Sequence, residues 1–249
     1  MRFVLATLAL APLLWWQGRR VRREALRLPE AAGPRAGVAG QGRPLRLLLL
    51  GDSSAAGVGV ADQSDALAGR LVELLGADHR VHWRLEAATG DRLEDVLRRA
   101  QELPPEAFDA VVVAVGVNDA TGRTSTAAWR RGLRRLLAIL DARCGQPLVL
   151  VCAIPPMQAF PALPRPLAGW LGLAAARLNG ATRAELAGAS RACLVPFEFE
   201  PDPRWMCEDG FHPSAAGYRR WAEAVAATLR ERIAATPPPP HPHPGVSPC

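Results

Sequence analysis

At 249 residues, with 49% hydrophobic and 22% charged side chains, the chain has the length and apolar content of one α/β-sized domain with an ample core. Its net charge of +6 is concentrated in residues 1–46, where nine Arg face two acids; the rest is close to neutral, which argues against a nucleic-acid-binding surface. Every basic residue other than histidine is Arg, which fits the coding bias implied by abundant Ala, Gly and Pro and carries no sign of Arg-specific recognition.

Residues 3–16 form an apolar run of fourteen, interrupted by Pro12, preceded by Arg2 and followed by Arg19-Arg20-Val21-Arg22-Arg23. The run is shorter than the ~20 residues that cross a bilayer. No small-x-small cleavage site follows it, and the Arg cluster resists translocation. Residues 1–28 are therefore expected to associate with a membrane from the cytoplasmic side, with Trp15 and Trp16 at the lipid interface and the arginines on anionic headgroups. An uncleaved export signal, which would place the domain in the periplasm, is the alternative. Residues 29–44, rich in Gly, Pro and Ala, read as a linker, and the folded domain is expected over 45–235.

Within that domain, residues 45–50, 81–85, 110–115, 148–154 and 192–195 are strand-like apolar stretches. Between and after them, residues 66–75, 93–101, 126–143, 173–186 and 214–234 space apolar residues at three and four, as helices do. The alternation predicts an α/β fold, a three-layer α/β/α sandwich with a central, mostly parallel five-stranded sheet. Arg130, Arg131, Arg134 and Arg135 read as a solvated helix face. Residues 155–170 are apolar but contain five prolines, so they cannot form one regular element. Their Met157, Phe160, Leu163 and Trp170 either border an acyl pocket or anchor a loop. From residue 236 the Pro-rich run with His241 and His243 reads as an extended, disordered tail without a structured metal site. The five cysteines, Cys144, Cys152, Cys193, Cys207 and Cys249, show no Cys-x-x-Cys pair and no zinc spacing. An odd count without a disulfide pattern favours a reducing compartment.

Four short segments carry residues with chemical potential: Gly51-Asp52-Ser53, Thr89-Gly90, Gly116-Val117-Asn118-Asp119 and Asp209-Gly210-Phe211-His212-Pro213. Each has an ordinary structural explanation by itself. Asp and Ser at a strand end cap helices, Asn-Asp makes turns, a lone His is commonly a surface residue, and a glycine meets a need for an unusual backbone angle. Their joint occurrence, in order, points to chemistry. Ser53 follows an apolar strand, at the end where open α/β sheets bind ligands. A serine hydroxyl needs a base, and His212 stands three residues after Asp209, a spacing that lets a carboxylate orient the imidazole on a tight turn. Asn118 and a backbone N–H at Gly90 are suitable donors to a developing oxyanion.

Competing motifs fail. Gly57-Val58-Gly59 begins like a dinucleotide fingerprint, but residue 62 is Asp where Gly or Ala is needed. The nucleophile elbow of α/β-hydrolases needs Gly two residues after the serine, and here Ala55 follows Ser53 at that distance.

In its four blocks the chain resembles the SGNH hydrolases, also called GDSL-type esterases and lipases, over about residues 45–233. The resemblance implies the same three-layer sandwich, with Ser53 as nucleophile, His212 as general base and Asp209 orienting it. Ser53 and Gly90 would offer backbone N–H groups, and Asn118 its side-chain amide, to the oxyanion. Where the family often has Leu after the nucleophile, this chain has Ser54, a rival nucleophile. The implied activity is hydrolysis, through an acyl-enzyme, of carboxylic esters with lipid-derived or small hydrophobic acyl groups, lysophospholipids and thioesters among them. Acyl transfer to another acceptor, deacetylation of carbohydrates, and a non-catalytic acyl- or glycan-binding role are the alternatives. The expected partners are a small-molecule ester and a membrane surface; the chemistry requires no metal and no organic cofactor.

Overall fold

The computed structural model describes residues 2–196 and 202–235; the expected tail, with His241, His243 and Cys249, lies outside the described residues. Six strands, β1 (Ala36–Ala39), β2 (Arg43–Gly51), β3 (His79–Ala87), β4 (Ala110–Ala114), β5 (Leu148–Cys152) and β6 (Ala192–Val195), form one sheet in the order β1-β3-β2-β4-β5-β6. β1 runs antiparallel to β3, and every other pair is parallel. β4 and β5 are buried along their whole length and β2 from Leu47 onward, as strands covered on both faces must be.

The covering helices are α2 (Leu67–Leu75), α3 (Leu93–Glu102), α5 (Thr126–Cys144), α6 (Leu167–Leu186) and α7 (Ala215–Ala235), with a single turn, α4 (Val117–Thr121), directly after β4 and a long α1 (Arg2–Glu24) preceding the sheet. Alternate residues of β2 feed opposite cores. Leu48 and Leu50 join Val96, Leu133, Leu136, Leu171 and Leu178 of α3, α5 and α6. Leu45, Leu47 and Leu49 join Leu67, Leu71, Val225 and Leu229 of α2 and α7. Each such leucine contributes roughly 1.5–3 kcal/mol by burial, so the central strand fixes both outer layers. This is the expected three-layer sandwich.

The strand count differs from the expected five. The additional strand, β1, lies in residues 29–44, which the sequence presents as a linker. All four of its residues are exposed, so it carries no hydrophobic alternation; it is held through its backbone pairing with β3, Ala36 opposite Arg84 and Ala39 opposite Val81. The residues before it are also fastened. Ala32 N–H donates to Ala61 O at 2.9 Å, and the Gln63 side-chain amide donates to Ala31 O and Ala56 O at 3.3 and 2.9 Å.

The N-terminal run, Pro12 included, is helical and reaches back to the domain. Leu14 is buried among the α5 and α6 core, and Gln17 donates to Arg165 O at 2.8 Å and accepts from Leu167 N–H at 3.1 Å. That second bond satisfies a free N–H at the start of α6, which begins at Leu167 rather than at 173 as the sequence pattern implies. Leu13, Trp15 and Trp16 are exposed. Among the described residues, no helix is long and apolar enough to cross a membrane. On α5, two of the arginines read as a solvated face, Arg130 and Arg134, pair with Glu185 of α6 at 2.8 and 2.6 Å.

In this topology β2 lies between β3 and β4, so the loops leaving β2 and β4 flank the point where the strand order reverses. Crevices at the carboxyl ends of strands at such a point are the usual ligand sites of open α/β sheets.

Candidate active site

The turn after β2 places Ser53 in that crevice. Asp52 N–H donates to Ala114 O at 3.0 Å, keeping the chain in register with β4 one residue past the sheet, and Val58 N–H returns to Ser53 O at 3.0 Å. Ser53 Oγ lies 2.8 Å from His212 Nε2, and His212 Nδ1 lies 2.6 Å from Asp209 Oδ2. The structure thus brings together Ser53, His212 and Asp209, and it gives the imidazole to Ser53 rather than to Ser54.

The histidine is held by its own turn. Asp209 Oδ1 accepts from Phe211 N–H at 2.7 Å, from His212 N–H at 2.9 Å and from the Cys207 thiol at 3.1 Å. Cys207 N–H closes the loop on His212 O at 2.8 Å, and Ser214 caps α7 by accepting from Gly217 N–H at 3.2 Å. The serine side is tied to the same helix, because the Tyr218 hydroxyl donates to Val58 O at 2.7 Å. Gly59 completes the fit. With φ at +105°, a Cβ there would lie 2.5 Å from Pro213 O, so the second glycine of Gly57-Val58-Gly59 serves this close approach and not a dinucleotide.

Burial alone would raise the Asp209 carboxyl, but the bonds from His212, Phe211 and Cys207 outweigh it and hold the group well below the usual carboxylate range. It is therefore a permanent anion beside the imidazole. Burial and that anion push the Cys207 thiol up to about 11, so it stays protonated as a donor. Asp52 is different. Burial pushes its carboxyl up to about 7, against the Ser54 N–H bond and the attraction of His212.

The expected oxyanion donors face the same crevice. Asn118, on α4, donates one amide hydrogen to Asp91 O at 2.9 Å, which fixes the orientation of the other. Gly90 sits at φ +91° with nothing within 4 Å of where a Cβ would be, so its requirement is backbone angle and open space above the loop. That loop is clamped from two sides. Glu30 Oε1 accepts from Thr89 N–H and Thr89 Oγ1 at 2.7 and 2.8 Å, while Glu30 Oε2 accepts from Arg35 at 2.6 Å. On the other side Asp119 Oδ2 accepts from Leu93 N–H at 3.0 Å and Oδ1 from Thr124 Oγ1 at 2.9 Å. Glu30 and Cys207 have positioning roles that no sequence signal marked; Glu30 acts across 59 positions of chain.

Above Ser53 opens a cavity of about 1260 Å³. Met157, Phe160, Leu163 and Trp170 line it, joined by Leu14 and Val21 of α1. The Pro-rich segment is thus both anchored and pocket-forming: Met157 and Phe160 are buried, and residues 157–159 make a single 3-10 turn. Among the described residues no group of three or more His, Cys, Asp or Glu could hold a metal, and Cys144, Cys152, Cys193 and Cys207 are free. A serine, an imidazole and a buried carboxylate bonded in series, with N–H donors opposite, are suited to nucleophilic attack on a carbonyl carbon.

Similar folds carry related names. A lipase/acylhydrolase from Enterococcus faecalis has 20% identity, with a TM-score of 0.54 over 76% of this chain and 96% of that one. TesA has 27% identity, with a TM-score of 0.57 over 75% and 99%. A family 3 carbohydrate esterase from Clostridium thermocellum has 17% identity, with a TM-score of 0.59 over 78% and 100%. No curated protein sequence matches the chain. The sequence model of the GDSL-like lipase/acylhydrolase family matches residues 49–220, a span that holds Ser53, Gly90, Asn118, Asp209 and His212. With well over half of its length matched and that fold around the crevice, the chain belongs to the GDSL-like lipase/acylhydrolase family and is a serine hydrolase acting on ester bonds.

Proposed function

We propose that the protein hydrolyses carboxylic esters with lipid-derived or other hydrophobic acyl groups through an acyl-enzyme, with Ser53 as nucleophile. The observation that carries this is the bonded series Ser53, His212, Asp209, at 2.8 and 2.6 Å, beneath a large cavity with an apolar wall. In the first half-reaction Ser53 Oγ attacks the ester carbonyl carbon and its proton passes to His212 Nε2. The Asp209 anion stabilises the imidazolium, and the oxyanion is received by the N–H groups of Ser53 and Gly90 and by the free amide hydrogen of Asn118. Collapse breaks the acyl–oxygen bond, and the leaving alcohol takes the proton from His212. Water then repeats the sequence on the acyl-serine, with His212 again as base, and releases the carboxylic acid.

We infer further that α1 rests on the cytoplasmic side of a membrane surface. Exposed Leu13, Trp15 and Trp16 beside the arginine cluster support this, since such side chains favour the lipid interface and anionic headgroups. Co-sedimentation with vesicles containing anionic lipid tests it: the Trp15→Ser/Trp16→Ser variant should bind more weakly, and equal binding would contradict it.

For the reaction, the purified protein is assayed on aryl esters of increasing acyl length beside Ser53→Ala, with a competing alcohol present. Carboxylic acid as the main product, a preference for acyl chains longer than acetyl, and loss of turnover in the variant are expected. A transferred ester as the main product would favour acyl transfer, and turnover confined to acetyl esters would favour the carbohydrate deacetylase reading that the C. thermocellum fold brings to mind.

A further inference from the structure

Two of the proposed oxyanion donors, Gly90 and Asn118, meet at one residue, Asp91. Gly90 has a left-handed φ of +91° and nothing within 4 Å of where a Cβ would lie, so its N–H is placed by its neighbours in the chain and not by packing of its own. Thr89, before it, is held by Glu30. Asp91, after it, is buried, and its main-chain carbonyl accepts from Asn118 Nδ2 at 2.9 Å, across 27 positions of chain. Whatever fixes Asp91 therefore acts on both donors.

Besides a turn bond from its own N–H to Ala88 O at 3.2 Å, Asp91 is held by Arg99. Arg99 Nε donates to Asp91 Oδ2 at 2.7 Å, from the last turn of α3 back across eight positions. Helix electrostatics explains an acid before α3 and an arginine in its last turn separately, but not the bond between them. The N–H groups at the start of α3 are served by other acids, Arg92 N–H by Asp95 Oδ2 and Leu93 N–H by Asp119 Oδ2, both at 3.0 Å. The Asp91 carboxylate is thus left for Arg99. Buried Leu93, Val96, Leu97 and Ala100 seat α3 on the sheet and give the guanidinium a rigid base. The Asp91 side chain is 12% exposed and that of Arg99 32%, so the pair is shielded on the carboxylate side and open to solvent on the other.

We propose that Arg99 is a positioning residue for the reaction: its bond to Asp91 holds both the carbonyl that orients the Asn118 amide and the chain leaving Gly90, so that the two donors converge on one oxygen. Arg99 itself touches neither the ester nor the oxyanion. The proposal rests on the ester-hydrolase reading above. A displaced donor loses its bond to the charge that develops in the transition state while substrate binding is left alone, so the pair should matter to kcat and little to KM. A partly exposed ion pair adds little to stability, so its effect on turnover should exceed its effect on folding.

The test uses the full chain, a soluble aryl butyrate, and phenylboronic acid, which adds to an activated serine to give a tetrahedral anion. Arg99→Gln and Asp91→Asn should each lower kcat per folded molecule by about tenfold with KM changed by less than about twofold, and should raise the Ki of the boronic acid by a factor similar to the loss in kcat. The melting temperature should fall by no more than about 4 °C. Arg99→Lys, which keeps the charge but not the directed Nε–H, should recover part of the loss. In Asn118→Ala, where one donor is already gone, adding Arg99→Gln should cost about threefold or less. Unchanged kcat in both Arg99→Gln and Asp91→Asn overturns the positioning role, and so does a loss from Arg99→Gln that is as large in Asn118→Ala as in wild type. Normal turnover in Asn118→Ala alone removes Asn118 from the site and this role of Arg99 with it. Failure of wild type to hydrolyse the ester overturns the hydrolase reading instead.

Discussion

On the sheet side of the cavity, Ser53, Asn118 and His212 leave the ends of two strands and the turn before α7, and bonds to Ala114, Asp91 and Asp209 hold their segments in place. Across from them α1 is joined to the domain by less: the buried Leu14, the partly buried Leu10 and Val21, and the two hydrogen bonds of Gln17. The contrast separates two jobs. Atoms that must meet within a few tenths of an ångström stand on elements fixed by the core, while a wall that selects among substrates needs only shape and charge. Changes on the sheet side should therefore strike turnover, and changes on the α1 side should strike selectivity and local stability.

The largest effect is expected from His212→Ala, which leaves the oxyanion donors but no base for Ser53. Turnover of a soluble short-chain ester should fall by on the order of 10⁵-fold or more in stopped or continuous assays, and a loss under tenfold would remove His212 from the reaction. Asp52 tests the sheet side through stability. Its carboxyl is raised to about 7 from the ordinary 3.8, so the folded state holds the proton longer than the unfolded one. Its contribution is fully present below about pH 4 and is lost as pH rises through about 7, a difference on the order of 4 kcal/mol. Asp52→Asn should remove that loss, and urea denaturation at pH 5 and pH 8 should show a flatter dependence than wild type. An unchanged slope would contradict the assignment.

Asn118→Ala should lower kcat by about 10²- to 10³-fold with little change in KM, because its free amide hydrogen is offered to charge that develops only in the transition state. Glu30→Ala, which releases Thr89 and the Gly90 loop, should cost about tenfold in kcat through misplacement of one donor. Glu30→Gln, which keeps an acceptor oxygen, should recover part of it; equal losses in both would contradict a positioning role. Smallest is Gln17→Ala on the α1 side, about 1 kcal/mol for the lost bonds, or a melting temperature lower by roughly 2–4 °C. It should shift the preference among acyl lengths more than it shifts kcat on an aryl acetate.

The same contrast governs what could be read from the sequence. β2, β4 and β5 were legible because burial on both faces makes them continuous apolar runs, and α2, α3, α5 and α7 because one apolar face repeats along each. β1 was not, since Ala36 to Ala39 bury no side chain and are held by backbone bonds alone. The early start of α6 was hidden by Pro164 and Pro166, and its first N–H is bonded to an oxygen supplied by Gln17 from 150 positions away. Ser53, Gly90, Asn118, Asp209 and His212 could be named because their chemistry is tied to residue type and local spacing. Glu30, Cys207 and the α1 wall could not, because each acts only through a contact that folding creates.

In the proposed reaction His212 activates Ser53 as the nucleophile. Reaction of the purified protein with a fluorophosphonate, followed by peptide mapping in a mass spectrometer, reads that activation at the serine itself. A single adduct is expected on Ser53, absent in Ser53→Ala and formed far more slowly in His212→Ala. An adduct on Ser54, or none on well-folded protein, would contradict it.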